Sequence, residues 1–152
     1  MKKVTLTCAH AIVKYLIAQK ILIDSKKEPL FPGVFGIFGH GNVACLGQAL
    51  EENQKDLPTY RGHHEQNMAL TGIGYARAKR RQQIFAATSS VGPGATNMVT
   101  AAAVAMSNRL PILFLPGDPA EISNELLESD IVKKVSITGS TWELTGQMVL
   151  LS

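Results

Sequence analysis

Ile84-Phe85-Ala86-Ala87-Thr88-Ser89-Ser90-Val91-Gly92-Pro93-Gly94-Ala95-Thr96-Asn97 is the stretch whose reading decides the fold. Ile84 to Thr88 is a short apolar run bounded by turn residues, which reads as a strand. Gly92-Pro93-Gly94 then breaks the chain, and the alanine-rich segment to about Asn108 reads as a helix opened by that loop. No charged residue lies between Ile84 and Asn108. The segment still does not read as a membrane span. Thr88, Ser89, Ser90, Thr96 and Asn97 are polar, and the Gly-Pro-Gly break falls inside the run.

The same alternation recurs on both sides. Val34 to Phe38 reads as a buried strand, ending in the loop Gly39-His40-Gly41-Asn42 and followed by a helix from about Val43 to Glu52 with Asn42 as its N-cap. Pro58-Thr59-Tyr60 reads as a short strand, and Gly62 turns the chain into a helix from about His64 to Arg80. Pro111 to Leu115 is a further apolar strand. Ahead of all these, Thr5 or Thr7 caps a first helix, and Ile21 to Pro32 reads as a polar connector. Short apolar strands alternating with longer helices define the α/β class, with a mainly parallel sheet between two helical layers. Such sheets bind ligands outside the carboxyl ends of their strands. Those ends are Gly39-His40-Gly41, Arg61 to Glu65, Ser89 to Gly94 and Gly117-Asp118.

Composition narrows the function. The 152 residues suit one domain, with 45% apolar residues but only 18% charged ones against a typical ~25%. That shortfall predicts an assembly or a neighbouring domain covering part of the surface. A formal charge of +3 does not point to nucleic acid. Arg77, Lys79, Arg80 and Arg81 cluster where cations complement a helix C-terminus. Cys8 and Cys45 form no CxxC unit, which fits a reduced, cytoplasmic protein. Lys2 and Lys3 are followed by His10, Lys14 and Lys20, so the beginning of the chain does not read as a signal peptide.

Two features could carry chemistry. The backbone N–H groups that open the helix after Gly92-Pro93-Gly94 can hold an anion or a polar heterocycle, although neither GxGxxG nor a Walker motif is present. Glu65, in the first turn of its helix, reads in two ways: a carboxylate placed there by the helix dipole, or a buried acid that shares a proton with a ligand nitrogen. His63, His64 and Glu65, with His40 or His10, do not make a metal site, because adjacent helical residues point about 100° apart. Ser89 and Ser90 lack a GxSxG setting.

Three phrases, in order and at domain spacing, resemble the pyrimidine-binding domain of thiamine-diphosphate enzymes, the superfamily of acetolactate synthase. They are Gly36-Ile37-Phe38-Gly39-His40-Gly41-Asn42, Tyr60-Arg61-Gly62-His63-His64-Glu65-Gln66-Asn67-Met68-Ala69, and Thr88-Ser89-Ser90-Val91-Gly92-Pro93-Gly94-Ala95-Thr96-Asn97. Phe38-Gly39-His40-Gly41-Asn42, with Arg81-Gln82-Gln83-Ile84-Phe85 and Asn97-Met98-Val99-Thr100-Ala101-Ala102, is most similar to the branch that opens a cyclic 1,2-diketone in inositol catabolism. The resemblance implies a three-layer α/β/α domain over residues 1–118 and a tail of unclear role over 119–152. It gives Glu65 the catalytic role of bonding to the aminopyrimidine of thiamine diphosphate and promoting its imino tautomer. Ser90, Gly92, Pro93, Gly94 and Asn97 would join Glu65 in holding the cofactor, and His40, Gly39 and Gly41 would face the substrate. Members of the superfamily also carry a middle domain and a diphosphate-binding domain whose Gly-Asp-Gly…Asn motif holds Mg²⁺. No such motif occurs here. The resemblance therefore implies a truncated chain, inactive alone, whose partners are that diphosphate-binding domain and a second copy in a homodimer. The alternatives are a relative acting on 2-keto acids, or a non-catalytic fragment that dimerises through its small-residue helices.

Overall fold

The computed structural model describes residues 5–39 and 42–117, together with the backbone of 149–150. Helix α1 (Cys8–Ala18) starts where Thr7 Oγ1 accepts the His10 backbone N–H at 3.2 Å. Val13 and Leu16 are its buried residues, while Tyr15 is 55% exposed. Burying each such side chain contributes about 1.5–3 kcal/mol. Strand β3 (Val34–Gly36) leads to a π-helical turn (Val43–Gly47) and α2 (Gln48–Glu52). Strand β4 (Thr59–Arg61), α3 (Glu65–Ala78), β5 (Ala86–Ser89), α4 (Pro93–Thr96), α5 (Val99–Asn108) and β6 (Leu113–Pro116) follow.

The strands lie in the order β4-β3-β5-β6, all parallel, and β7 (Val149–Leu150) adds an antiparallel edge beside β6. Side chains alternate across the pleat. Val34, Ala86 and Leu113 face one core with Val13 and Leu16 of α1 and Ala49 and Leu50 of α2. Phe35, Ala87 and Phe114 face the other, with Met68, Ala69 and Ile73 of α3 and Ala101, Ala102 and Ala105 of α5. The result is a three-layer α/β/α domain with a mainly parallel sheet. Alanines in β5 and α5 allow close helix-to-sheet packing, and Phe35, Tyr75 and Phe85 fill the remaining space, with Tyr75 edge-on to Phe85 at 4.8 Å.

Four local expectations are corrected. Ile21 to Pro32 is not a plain connector. It contains an antiparallel hairpin of β1 (Lys20–Ile23) and β2 (Lys26–Pro29), turned by Asp24 and Ser25 at φ 47° and 66°. Positive φ at both central residues is what a primed turn requires to match strand twist. Asn42 makes no side-chain cap bond, and the chain after it enters a π-helical turn instead of an α-helix. The helix opened by Pro93 stops at Thr96 and restarts at Val99, because Met98 N bonds back to Ala95 O, three residues away, and tightens the turn there. The chain end at Val149 and Leu150, which carried no strand reading, pairs with β6. The helical signal around Glu121 to Lys134 lies outside the described residues.

Candidate functional site

The carboxyl ends of β3, β5 and β6 meet at one backbone atom. Ser89 O, at the end of β5, accepts from Gly117 N at 2.9 Å and from Asn42 Nδ2 at 2.6 Å, and Asn42 Oδ1 accepts from Gly39 N at 3.0 Å. The loops are therefore held against one another. Gly39 lies so near Ser90 that a β-carbon at position 39 would overlap Ser90 Cβ.

Ser90, just past β5, points toward Gly94. A β-carbon at Gly94 would stand 2.5 Å from Ser90 Oγ and 3.0 Å from Glu65 Oε1. Glycine is thus what lets the start of α4 approach the Glu65 carboxyl. Gly92 supplies the sharp entry to that helix at φ 63°, a conformation side chains rarely adopt. Pro93 follows in the first turn, where its missing N–H costs nothing.

Glu65 opens α3 after His64, whose side chain makes no cap bond. The helix dipole favours an acid in this position. Asn97, released from the helix by the break after Thr96, donates Nδ2 to Glu65 Oε2 at 3.0 Å. Glu65 is half-buried, not fully buried. Between Gln66 and Gly117 the sequence has no aspartate or glutamate, so among the described residues Glu65 is the one carboxylate that α3, β5, α4, α5 and β6 bring to the crevice.

Glu65, Ser90, Gly94 and Asn97 are thus brought together, with Gly92 and Pro93 at the helix entry and Gly39 against Ser90. His40 and Gly41 lie outside the described residues. His63 and His64 are exposed, and His10 is engaged elsewhere, with Thr7 Oγ1 at 2.7 Å and Glu52 Oε2 at 2.8 Å. Among the described residues no three His, Cys, Asp or Glu side chains form a group that could hold a metal, and no helix is long and apolar enough to cross a membrane. Reading Asn42 as a cap missed its part in the crevice. Its signal was its place directly after a Gly-His-Gly loop, whereas the Ser89 carbonyl, being main chain, carries no signal in sequence.

Strand ends that meet at one carbonyl, with one carboxylate among the described residues against a glycine-opened helix, place the chain in the class of α/β domains that bind a ligand at the carboxyl ends of their strands. The family described as thiamine pyrophosphate enzyme, N-terminal TPP binding domain, matches residues 8–137, and the chain belongs to it. Among curated relatives, 3D-(3,5/4)-trihydroxycyclohexane-1,2-dione hydrolase from Geobacillus thermodenitrificans (strain NG80-2) is 54% identical over 118 residues, covering 78% of this chain and 18% of the relative. The protein of the same name from Clostridium tetani (strain Massachusetts / E88) is 51% identical over 118 residues, with the same coverage. The chain therefore spans about a fifth of the length of the curated relatives it matches.

Proposed function

We propose that this chain forms the pyrimidine side of a thiamine-diphosphate site in an enzyme that hydrolyses a carbon–carbon bond of 3D-trihydroxycyclohexane-1,2-dione, in the cytoplasmic breakdown of inositol. The observation that carries this reading is the 51–54% identity, across 78% of the chain, to proteins bearing that hydrolase name. The crevice fits the pyrimidine end of the cofactor. The missing side chain at Gly94 lets the start of α4 close on Ser90 Oγ and on Oε1 of Glu65, the one carboxylate that the described residues bring there. When bound, thiamine diphosphate supplies a nucleophilic carbon for attack on a carbonyl.

The residues of this chain hold the ring and place a proton. Glu65 would bond to a ring nitrogen, with Oε1 left for it because Asn97 Nδ2 donates to Oε2. Gly92, Pro93 and Gly94 would bring backbone close to the ring, and Ser90 would border it. Gly39, His40 and Gly41 are assigned to the substrate by their place in the sequence after β3. A diphosphate-binding domain, absent from these 152 residues, would hold Mg²⁺ and the diphosphate. Two copies of the pyrimidine domain would pair in a homodimer.

The test mixes the chain with a separately produced diphosphate-binding domain of a relative, thiamine diphosphate and Mg²⁺, and follows ring opening of the cyclic dione. Turnover is expected in the full mixture and in no mixture lacking one component. Turnover by the chain alone, or none in the full mixture, would overturn the reading.

A further inference from the structure

Asn42 is 3% exposed and caps no helix, yet both ends of its amide are committed. Its orientation follows from chemistry. Gly39 N–H can only donate and Ser89 C=O can only accept, so Oδ1 must face the first and Nδ2 the second, and the reverse would set donor against donor. Burying an amide costs free energy unless both ends are paired, and here both are. The Ser89 carbonyl that Asn42 grips also receives Gly117 N–H, so one side chain links the ends of three adjacent strands. The approach leaves no room at Gly117, where a β-carbon would lie 2.9 Å from Ser89 O.

We propose that Asn42 is a positioning residue of the crevice: through Gly39 N–H and Ser89 C=O it sets the spacing of the β3 and β5 loops and so seats Ser90 against Gly94 and the Glu65 carboxyl. It acts through these groups and not by touching a ligand. Its importance to function rests on the reading of the crevice as half of a thiamine-diphosphate site, but its geometry can be tested without cofactor.

The experiment is solution NMR on the 152-residue chain. In the parent, a scalar coupling across the hydrogen bond should connect Asn42 Nδ2 to the Ser89 carbonyl carbon. In Asn42→Asp, the carboxylate still accepts from Gly39 N–H but turns an acceptor toward Ser89 O. At about pH 7.5 the Ser90 and Gly94 amide resonances should leave their parent positions, and hydrogen exchange at Gly117 N–H should accelerate about tenfold, the loss of roughly one hydrogen bond. At about pH 5 the buried carboxyl takes up a proton, donates it to Ser89 O, and returns those resonances toward the parent. A packing defect would not be repaired by acid. If Asn42→Asp unfolds at neutral pH, regaining the parent spectrum on acidification gives the same answer. The parent's own titration, with His40 between Gly39 and Asn42, is the reference. Absence of the coupling in the parent, parent-like Ser90 and Gly94 resonances in the variant at neutral pH, or an acid-insensitive change would each overturn the proposal. A chain that passes while its mixture with the diphosphate-binding domain stays inactive would sink the functional reading and leave this one standing.

Discussion

Asn97 Nδ2 donates to Glu65 Oε2 across 3.0 Å, joining the residue after α4 to the first residue of α3. An amide N–H cannot accept a proton, so this bond spends one carboxylate oxygen and leaves Oε1, beneath Gly94, as the oxygen able to carry or release one. The break between α4 and α5 is what brings Asn97 to this position.

Replacing Glu65 with Gln keeps an oxygen for Asn97 to bond but removes the exchangeable proton. The variant should melt within about 3 °C of the parent, as expected for a change below roughly 1 kcal/mol. In the mixture with a diphosphate-binding domain, ring opening should fall at least about a thousandfold, as loss of a proton-transferring group allows. Retained turnover would remove Glu65 from the chemistry.

Gly94→Ala puts a methyl 2.5 Å from Ser90 Oγ and 3.0 Å from Glu65 Oε1. The overpacking should cost about 1–3 kcal/mol in chemical denaturation. Ser90→Ala in the same chain should restore much of it, because the closer of the two contacts is then gone. Additive losses in the double variant would show that the two positions do not press on each other.

The hairpin turn carries its strain at Asp24 and Ser25, both at positive φ without being glycine. Asp24→Asn with Ser25→Gly writes the dipeptide this turn prefers. The pair should raise stability by about 0.5–1 kcal/mol, read as a higher melting temperature. A lower one would show that the turn is not of the primed kind.

Glu52 titrates below its ordinary 4.5, chiefly because His10 bonds to its carboxylate and also because Gln48 does. The lowered value means the folded chain binds this proton less readily than the unfolded chain. Its stabilisation is therefore present above pH 4.5 and lost as pH falls below that value. Thermal melts should show Glu52→Gln lowering stability above pH 4.5 while leaving the acid end little changed, so that the acid limb of the stability curve flattens. An unchanged acid limb would place the contact outside the folding equilibrium.

The layers and the strand-end crevice were legible because buried parallel strands are apolar runs and glycine loops mark their ends. Ile84 to Thr88 and Val34 to Phe38 show both signals plainly. The hairpin was hidden because Lys20, Lys26, Lys27 and Glu28 mask its alternation and no glycine marks its turn. The π-helical turn was hidden because Asn42, which has the chemistry of a cap, spends its amide on Gly39 and Ser89. Asn97 was legible as a crevice residue, but its partner was not. That pairing depends on where a helix breaks, and the break is set by main-chain bonds that residue types do not announce.

The long interval without an acid, from Gln66 to Gly117, leaves Glu65 with no understudy among the described residues. A site with several carboxylates can lose one and let a neighbour take over its protons. Among the described residues the helices and strands on that side of the sheet offer no substitute, so a substitution that tilts α3, Asn97 or Gly94 is felt at Glu65 itself.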